Sequence, residues 1–115
     1  MPIHATTPNG FPGVRAISLS GEMDETTIPS LELILTPLMT EDGITHIVFD
    51  FSDLVFMNSK VIGYIASFYS GLAEQQRTLL FAAPNETIQD ILSLVGLTAI
   101  IDTFGTVAQA LDSLK

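Results

Sequence analysis

At 115 residues, 47% of them hydrophobic, the chain is near the commonest single-domain size and has apolar material for one sizeable core. Its 13 acidic side chains outnumber four basic ones (Arg15, Lys60, Arg77 and Lys115), giving a net charge of −9. Without clustered cations, nucleic acid and anionic membrane surfaces are excluded as partners, and without cysteine so are disulfides, thiol nucleophiles and thiolate-held metals.

The opening MPIHATTPNG has no basic segment followed by an apolar run, so it is not a signal peptide, and the apolar runs are broken well before membrane length. A single cytoplasmic domain over residues 1–115 is expected. Residues 2–6 (PIHAT) suit a short edge strand, and TTPNGFPG suits a turn, since Asn-Gly readily takes positive φ. VRAISLS (14–20) reads as a strand, and GEMDETT as the polar break after it. Ile28, Leu31, Leu35 and Leu38 recur at helical spacing behind Pro29, which fits a first turn. Pro37 should kink that helix or end it early. After the EDG loop (41–43), HIVFDF (46–51) is nearly continuously apolar, as a strand covered on both faces would be, and SDLVFMNS leads out of it.

From Lys60 the period becomes helical, with Val61, Ile65, Phe68 and Leu72 on one stripe. LLFAAP (79–84) is a buried strand stopped by Pro84. NETIQDILSLVG (85–96) is a helix facing inward through Ile88, Ile91, Leu92 and Val95, with Gly96 as its stop. AIIDTF (99–104) reads as a last strand, and TVAQALDSL (106–114) as a last helix with Val107, Leu111 and Leu114 in register. The order β-β-α-β-α-β-α-β-α implies an α/β fold with a mainly parallel sheet and helical crossovers, the two N-terminal strands being the antiparallel departure.

Signs of enzyme chemistry are sparse. The phosphate-binding glycine motifs and the GxSxG nucleophile turn are absent. His4 and His46 stand alone and belong to no spaced metal set. Glu22, Asp24 and Glu25 cluster behind a strand, and Asp50 and Asp53 lie near the end of another; turn chemistry accounts for them. The informative stretch is FMNSKVIG (56–63), where an amide, a hydroxyl and a lysine interrupt the most apolar region. Ser59 falls between a strand exit and a helix start, the edge of such sheets where functional loops gather. From its position alone it is a helix cap or first-turn residue. A nucleophilic role would need a general base, and no histidine is nearby in sequence. Phosphorylation needs only exposure and a kinase, and phosphate at a helix N-terminus is tolerated by the fold.

Taken in order, these segments resemble the STAS domain, and specifically the stand-alone anti-sigma factor antagonists of bacteria. GEMD (21–24) is similar to the family's G-E-[LM]-D, HIVFDFSDLVFMNS (46–59) to its strand-plus-loop segment, and Lys60–Leu72 to the following amphipathic helix with Gly63 as its later glycine. ILSLVGLTAIIDTF (91–104) resembles the family's helix, small turn and short strand. The resemblance implies a single-layer mixed sheet of four to five strands flanked by about four helices. It also implies a non-enzymatic binding switch in which Ser59 is phosphorylated by an anti-sigma factor that is also a serine kinase. The unphosphorylated form captures that partner and the phosphorylated form releases it. Glu22, Asp24, Asn58, Ser59, Lys60, Ile62 and Gly63 would form the partner surface, with a phosphatase as a second partner. The kinase supplies ATP and Mg²⁺, so the chain itself needs no cofactor. The chain departs from the family at Asn58, commonly Asp, and at Lys60-Val61, commonly a small residue and then Gly. That departure motivates an alternative, a constitutive adaptor in a signalling scaffold or transporter complex without phospho-switching. Oligomeric state is left open.

Overall fold

The computed structural model describes residues 3–115. Five strands form one sheet in sequence order: β1 (Ile3–Thr6), β2 (Val14–Met23), β3 (His46–Met57), β4 (Thr78–Ala82) and β5 (Thr103–Phe104). β1 is antiparallel to β2, and every other neighbouring pair is parallel. The helices α1 (Ile28–Leu38), α2 (Ser59–Glu74), α3 (Glu86–Leu94) and α4 (Val107–Asp112) follow β2, β3, β4 and β5. The mixed α/β architecture expected from the element order is therefore observed; Pro2, which the sequence assigned to the first strand, lies outside the described residues.

Alternation along the parallel strands sorts side chains onto two faces. Ile17, Leu19, Ile47, Phe49, Phe51, Leu79 and Phe81 join the larger core with Leu31, Leu35, Val61, Ile65, Phe68, Leu72, Ile88 and Leu92 from α1, α2 and α3. Val14, Val48, Leu80 and Ala82 point the other way, to a smaller cluster around Ala110 of α4. Phe49 is the hub of the larger core. Its ring centroid lies 5.8 Å from Phe68, 6.1 Å from Phe51 and 6.2 Å from Phe81.

The structure corrects several boundaries. β3 does not end at Phe51 but runs to Met57, because two extra residues are bulged into it opposite β2. Ser18 and Ser20 face Asp50 and Asp53, and Gly21 and Glu22 face Leu54 and Phe56. Each insertion re-aims the strand, so Phe51, Leu54 and Met57 all reach the core at a spacing of three. β2 likewise continues through the supposed polar break to Met23, which is buried. Gly21 supplies the positive φ of 73° at that bend. Pro37 sits in the last turn of α1 and the helix stops one residue later, as expected of a proline whose missing amide leaves an outward-facing carbonyl to water.

The strand expected at 99–104 is reduced to Thr103–Phe104. Gly96 stops α3 at a left-handed φ of 83°, and residues 97–99 form a 3-10 turn that buries Leu97. Val95 lies past the end of α3 and is exposed rather than inward, while Ile91 is half-buried. In α4 the fully buried residue is Ala110, with Val107, Leu111 and Leu114 half-buried around it.

Candidate functional site

The double bulge carries β3 past the end of β4, which pairs only with residues 46–50, so the β2–β3 ribbon alone projects from the sheet. At its tip Glu22 lies opposite Phe56 and Met23 opposite Met57. The chain then divides: β2 turns into Asp24 and a 3-10 turn (Glu25–Thr27), and β3 turns into α2. GEMD and FMNS, far apart in sequence, are thereby neighbours in space, joined where the Asn58 backbone meets the Met23 carbonyl.

Asp24 is committed to its turn. Its carboxylate accepts from the Thr26 hydroxyl and amide, and its backbone N–H donates to Thr27 Oγ1 at 3.2 Å. Those Thr26 bonds, the hydroxyl first, hold its carboxyl below the usual carboxylate range, so it is ionised at neutral pH. Asn58, not Ser59, caps α2: its Oδ1 accepts from the Val61 N–H at 3.1 Å, and its Nδ2 donates to Glu25 Oε2 at 2.6 Å. Its backbone N–H donates to the Met23 carbonyl at 3.1 Å.

Ser59 is therefore the first helical residue, and it is exposed. Among the described residues its hydroxyl has no hydrogen-bond partner, and Lys60, also exposed, has no carboxylate within ion-pair reach. Gly63 lies one turn below Ser59 on the same face of α2. A Cβ added there would meet nothing within 4 Å, so this face is flat and open. Ile62 is half-buried and packs on the core.

Of the residues the sequence pointed to, the structure thus brings Glu22, Asp24, Asn58, Ser59, Lys60 and Gly63 to one end of the molecule, with Ile62 mostly behind them. Three others belong to the same end. Glu25 holds Asn58, and Val55 and Phe56 are exposed apolar side chains on the projecting ribbon, 58% and 43% accessible. A hint to the last two was present: an apolar pair just before an interrupting NSK, with no alternation partner to bury it.

His46, at the opposite end of β3, contacts Thr45 Oγ1 through Nδ1 at 2.8 Å and offers Ser59 no base. A cavity of about 170 Å³ between α2 and the start of β4, bordered by Tyr69, Arg77, Thr78 and Asp102, also lies at that far end. It is well below the usual size of a small-molecule site. Among the described residues no set of three or more His, Asp or Glu side chains is arranged to hold a metal, and no helix is long and apolar enough to cross a membrane.

The fold and this end of it define a small α/β domain that presents a capped helix start, with a free serine, on a protruding two-stranded ribbon. The STAS domain profile matches residues 6–110, and the chain belongs to the STAS domain family. It is 28% identical over 95 residues to an anti-sigma-B factor antagonist of Staphylococcus aureus, covering 83% of this chain and 84% of that one. It is 25% identical over 103 residues to an anti-sigma F factor antagonist of Paenibacillus polymyxa, covering 90% and 88%. The solved structure of the Bacillus cell fate determinant SpoIIAA in its phosphorylated form superposes with a TM-score of 0.77 at 18% identity, covering 98% of this chain and 99% of that one.

Proposed function

We propose that this protein is an anti-sigma factor antagonist whose grip on an anti-sigma factor is switched by phosphorylation of Ser59. The observation that carries this reading is the position of Ser59: exposed, unbonded and first in α2, because Asn58 has taken the capping role. The family and the relatives named as antagonists support the general role.

Unphosphorylated, the ribbon tip offers Val55 and Phe56 as apolar anchors, a flat helix face at Ser59 and Gly63, and the carboxylates of Glu22 and Asp24 for a basic partner surface. Phosphoryl transfer from ATP breaks the bond between the γ-phosphorus and its bridging oxygen, forms a bond to Ser59 Oγ, and passes the hydroxyl proton to a base on the kinase. The product carries about −1.5 to −2 charges. On a face that must be desolvated in the complex, that charge and volume oppose binding, while the free amides at the start of α2 let the domain itself tolerate it.

Two measurements test the reading together. Lysate pull-downs with wild type and Ser59→Asp should capture one partner with wild type and much less of it with the variant. Incubation of that partner with ATP, Mg²⁺ and the wild-type protein should then place phosphate on Ser59 by mass spectrometry. Equal capture by both forms supports the constitutive adaptor instead, and an active kinase that leaves Ser59 unmodified refutes the switch.

A further inference from the structure

Asn58 uses every polar group it has. Oδ1 takes the Val61 N–H, Nδ2 gives to Glu25 Oε2, the backbone N–H gives to the Met23 carbonyl, and the backbone carbonyl takes the Ile62 N–H. One residue therefore ties together the start of α2, the end of β2 and the 3-10 turn that leads into α1. The amide orientation is dictated by its partners: flipped, it would set NH₂ against an N–H and oxygen against a carboxylate. The residue type is dictated as well. An aspartate at 58 could still cap the helix but could not donate to Glu25, and would face it as a second carboxylate. Asn58 and Glu25 are a matched pair, built one residue from Ser59.

We propose that the Asn58–Glu25 hydrogen bond is a latch that reports the charge on Ser59, closed while the hydroxyl is free and opened by phosphate, with Glu25 the positioning residue that carries the change into residues 25–27. The proposal rests on Ser59 being the phosphate acceptor. Phosphate there would be held over the unpartnered amides of the first turn, keeping about −1.5 to −2 charges beside the latch. Asn58 cannot yield, because its bonds to Val61, Ile62 and Met23 anchor it to α2 and β2. Glu25 is exposed, held at its carboxylate by that one bond among the described residues, and carries the like charge, so it is the member displaced. The Thr26 and Thr27 amides both donate to Asp24, in bonds internal to this exposed turn, so they loosen when Glu25 lets go, and Lys60 offsets part of the phosphate charge without contacting Glu25. A partner that spans both loops would meet an altered surface at residues 25–27 as well as a modified serine.

The test installs phosphoserine at position 59 during translation, so no kinase is required, and compares it with the unmodified protein by ¹⁵N NMR. With phosphate, the Asn58 side-chain NH₂ signal should move toward that of a free amide. The Thr26 and Thr27 amides should exchange about tenfold faster, as expected for like charges at short range near a protein surface. In Glu25→Gln, which keeps a hydrogen-bond acceptor and loses the charge, the phosphate-dependent acceleration should fall below about twofold. The Val61 amide should stay protected in every form, showing that α2 and its cap remain intact. Unchanged Asn58, Thr26 and Thr27 signals on phosphorylation, or equal acceleration in Glu25→Gln, would overturn the latch. A kinase that ignores Ser59 would instead defeat the functional reading, and this measurement would stand apart from it.

Discussion

Asn58→Ala removes two interactions that can be valued separately. Loss of the Oδ1 cap on Val61 costs about 1 kcal/mol, as for other helix N-caps. Loss of the Nδ2 bond to Glu25 costs at most about 1 kcal/mol more, because the pair is exposed and water competes for it. Together about 1–2 kcal/mol should go, a fall in Tm of about 4–8 °C for a domain near this size. Asn58→Asp separates the two, since it keeps the cap acceptor and gains from the helix dipole but sets two carboxylates together; it should lie between wild type and Asn58→Ala. Adding Glu25→Gln should bring Asn58→Asp back to within about 0.5 kcal/mol of wild type, because the glutamine amide can donate to the new carboxylate. Urea unfolding followed by far-UV circular dichroism suits this series, as the chain has no tryptophan, and an unchanged m-value would confirm that only stability moved. Asn58→Ala within 0.5 kcal/mol of wild type would refute the capping argument. An Asn58→Asp variant that Glu25→Gln does not rescue would refute the pairing.

Three further outcomes are expected. Gly63→Ala should stabilise the domain by about 0.5–1 kcal/mol, since it replaces a helix-interior glycine where a Cβ meets nothing, yet weaken partner capture by crowding the flat face; calorimetric titration with the captured partner checks the second half. Phe49→Ala should cost about 3–5 kcal/mol by emptying the centre of the aromatic cluster, read as a lowered urea midpoint. Burial lowers the His46 pKa from its ordinary 6.5, so between those values the unfolded chain binds more protons than the folded one. His46 should therefore take nothing from stability at pH 7.5 and progressively more as pH falls below about 6.5, and His46→Gln should remove that part of the slope; parallel pH profiles for the two proteins would show the sign to be wrong.

The helices were legible in the sequence because their buried residues keep one period. Leu31, Leu35 and Leu38, then Val61, Ile65, Phe68 and Leu72, recur at three and four and reach the core as expected. The far half of β3 was not legible, for a reason specific to strands. Alternation marks a strand only while its pairing is regular, and two bulged residues turn the spacing of two into the spacing of three at Phe51, Leu54 and Met57. By composition that stretch looks like a loop, and GEMD opposite it looks polar because only Met23 is buried. Bulges depend on what the partner strand does at the same height, and Gly21 was the one local sign of it. At the other end, Ile100 and Ile101 made residues 99–104 look like a strand, but Gly96 had already set the chain into a tight turn that spends Leu97 and Ile101 on the core and leaves Ile100 exposed.

The one-residue difference between Ser59 as cap and Asn58 as cap decides what the serine can do. A capping serine turns its oxygen toward the N–H of the second or third helical residue, where it is occupied as an acceptor and shielded by the first turn. Placed one position later, the same side chain leaves the helix start with its hydroxyl outward and its lone pairs and proton free. Sequence position alone cannot separate these cases, because Asn and Ser are both good caps and stand side by side. The tie is broken by tertiary contacts: Met23 O holds the Asn58 backbone and Glu25 holds its NH₂, which leaves Oδ1 aimed at Val61. Both of those partners come from the GEMDE corner. The corner therefore contributes to the candidate site less as a row of charges for a partner to meet than as the clamp that makes Asn58 the cap and sets Ser59 free.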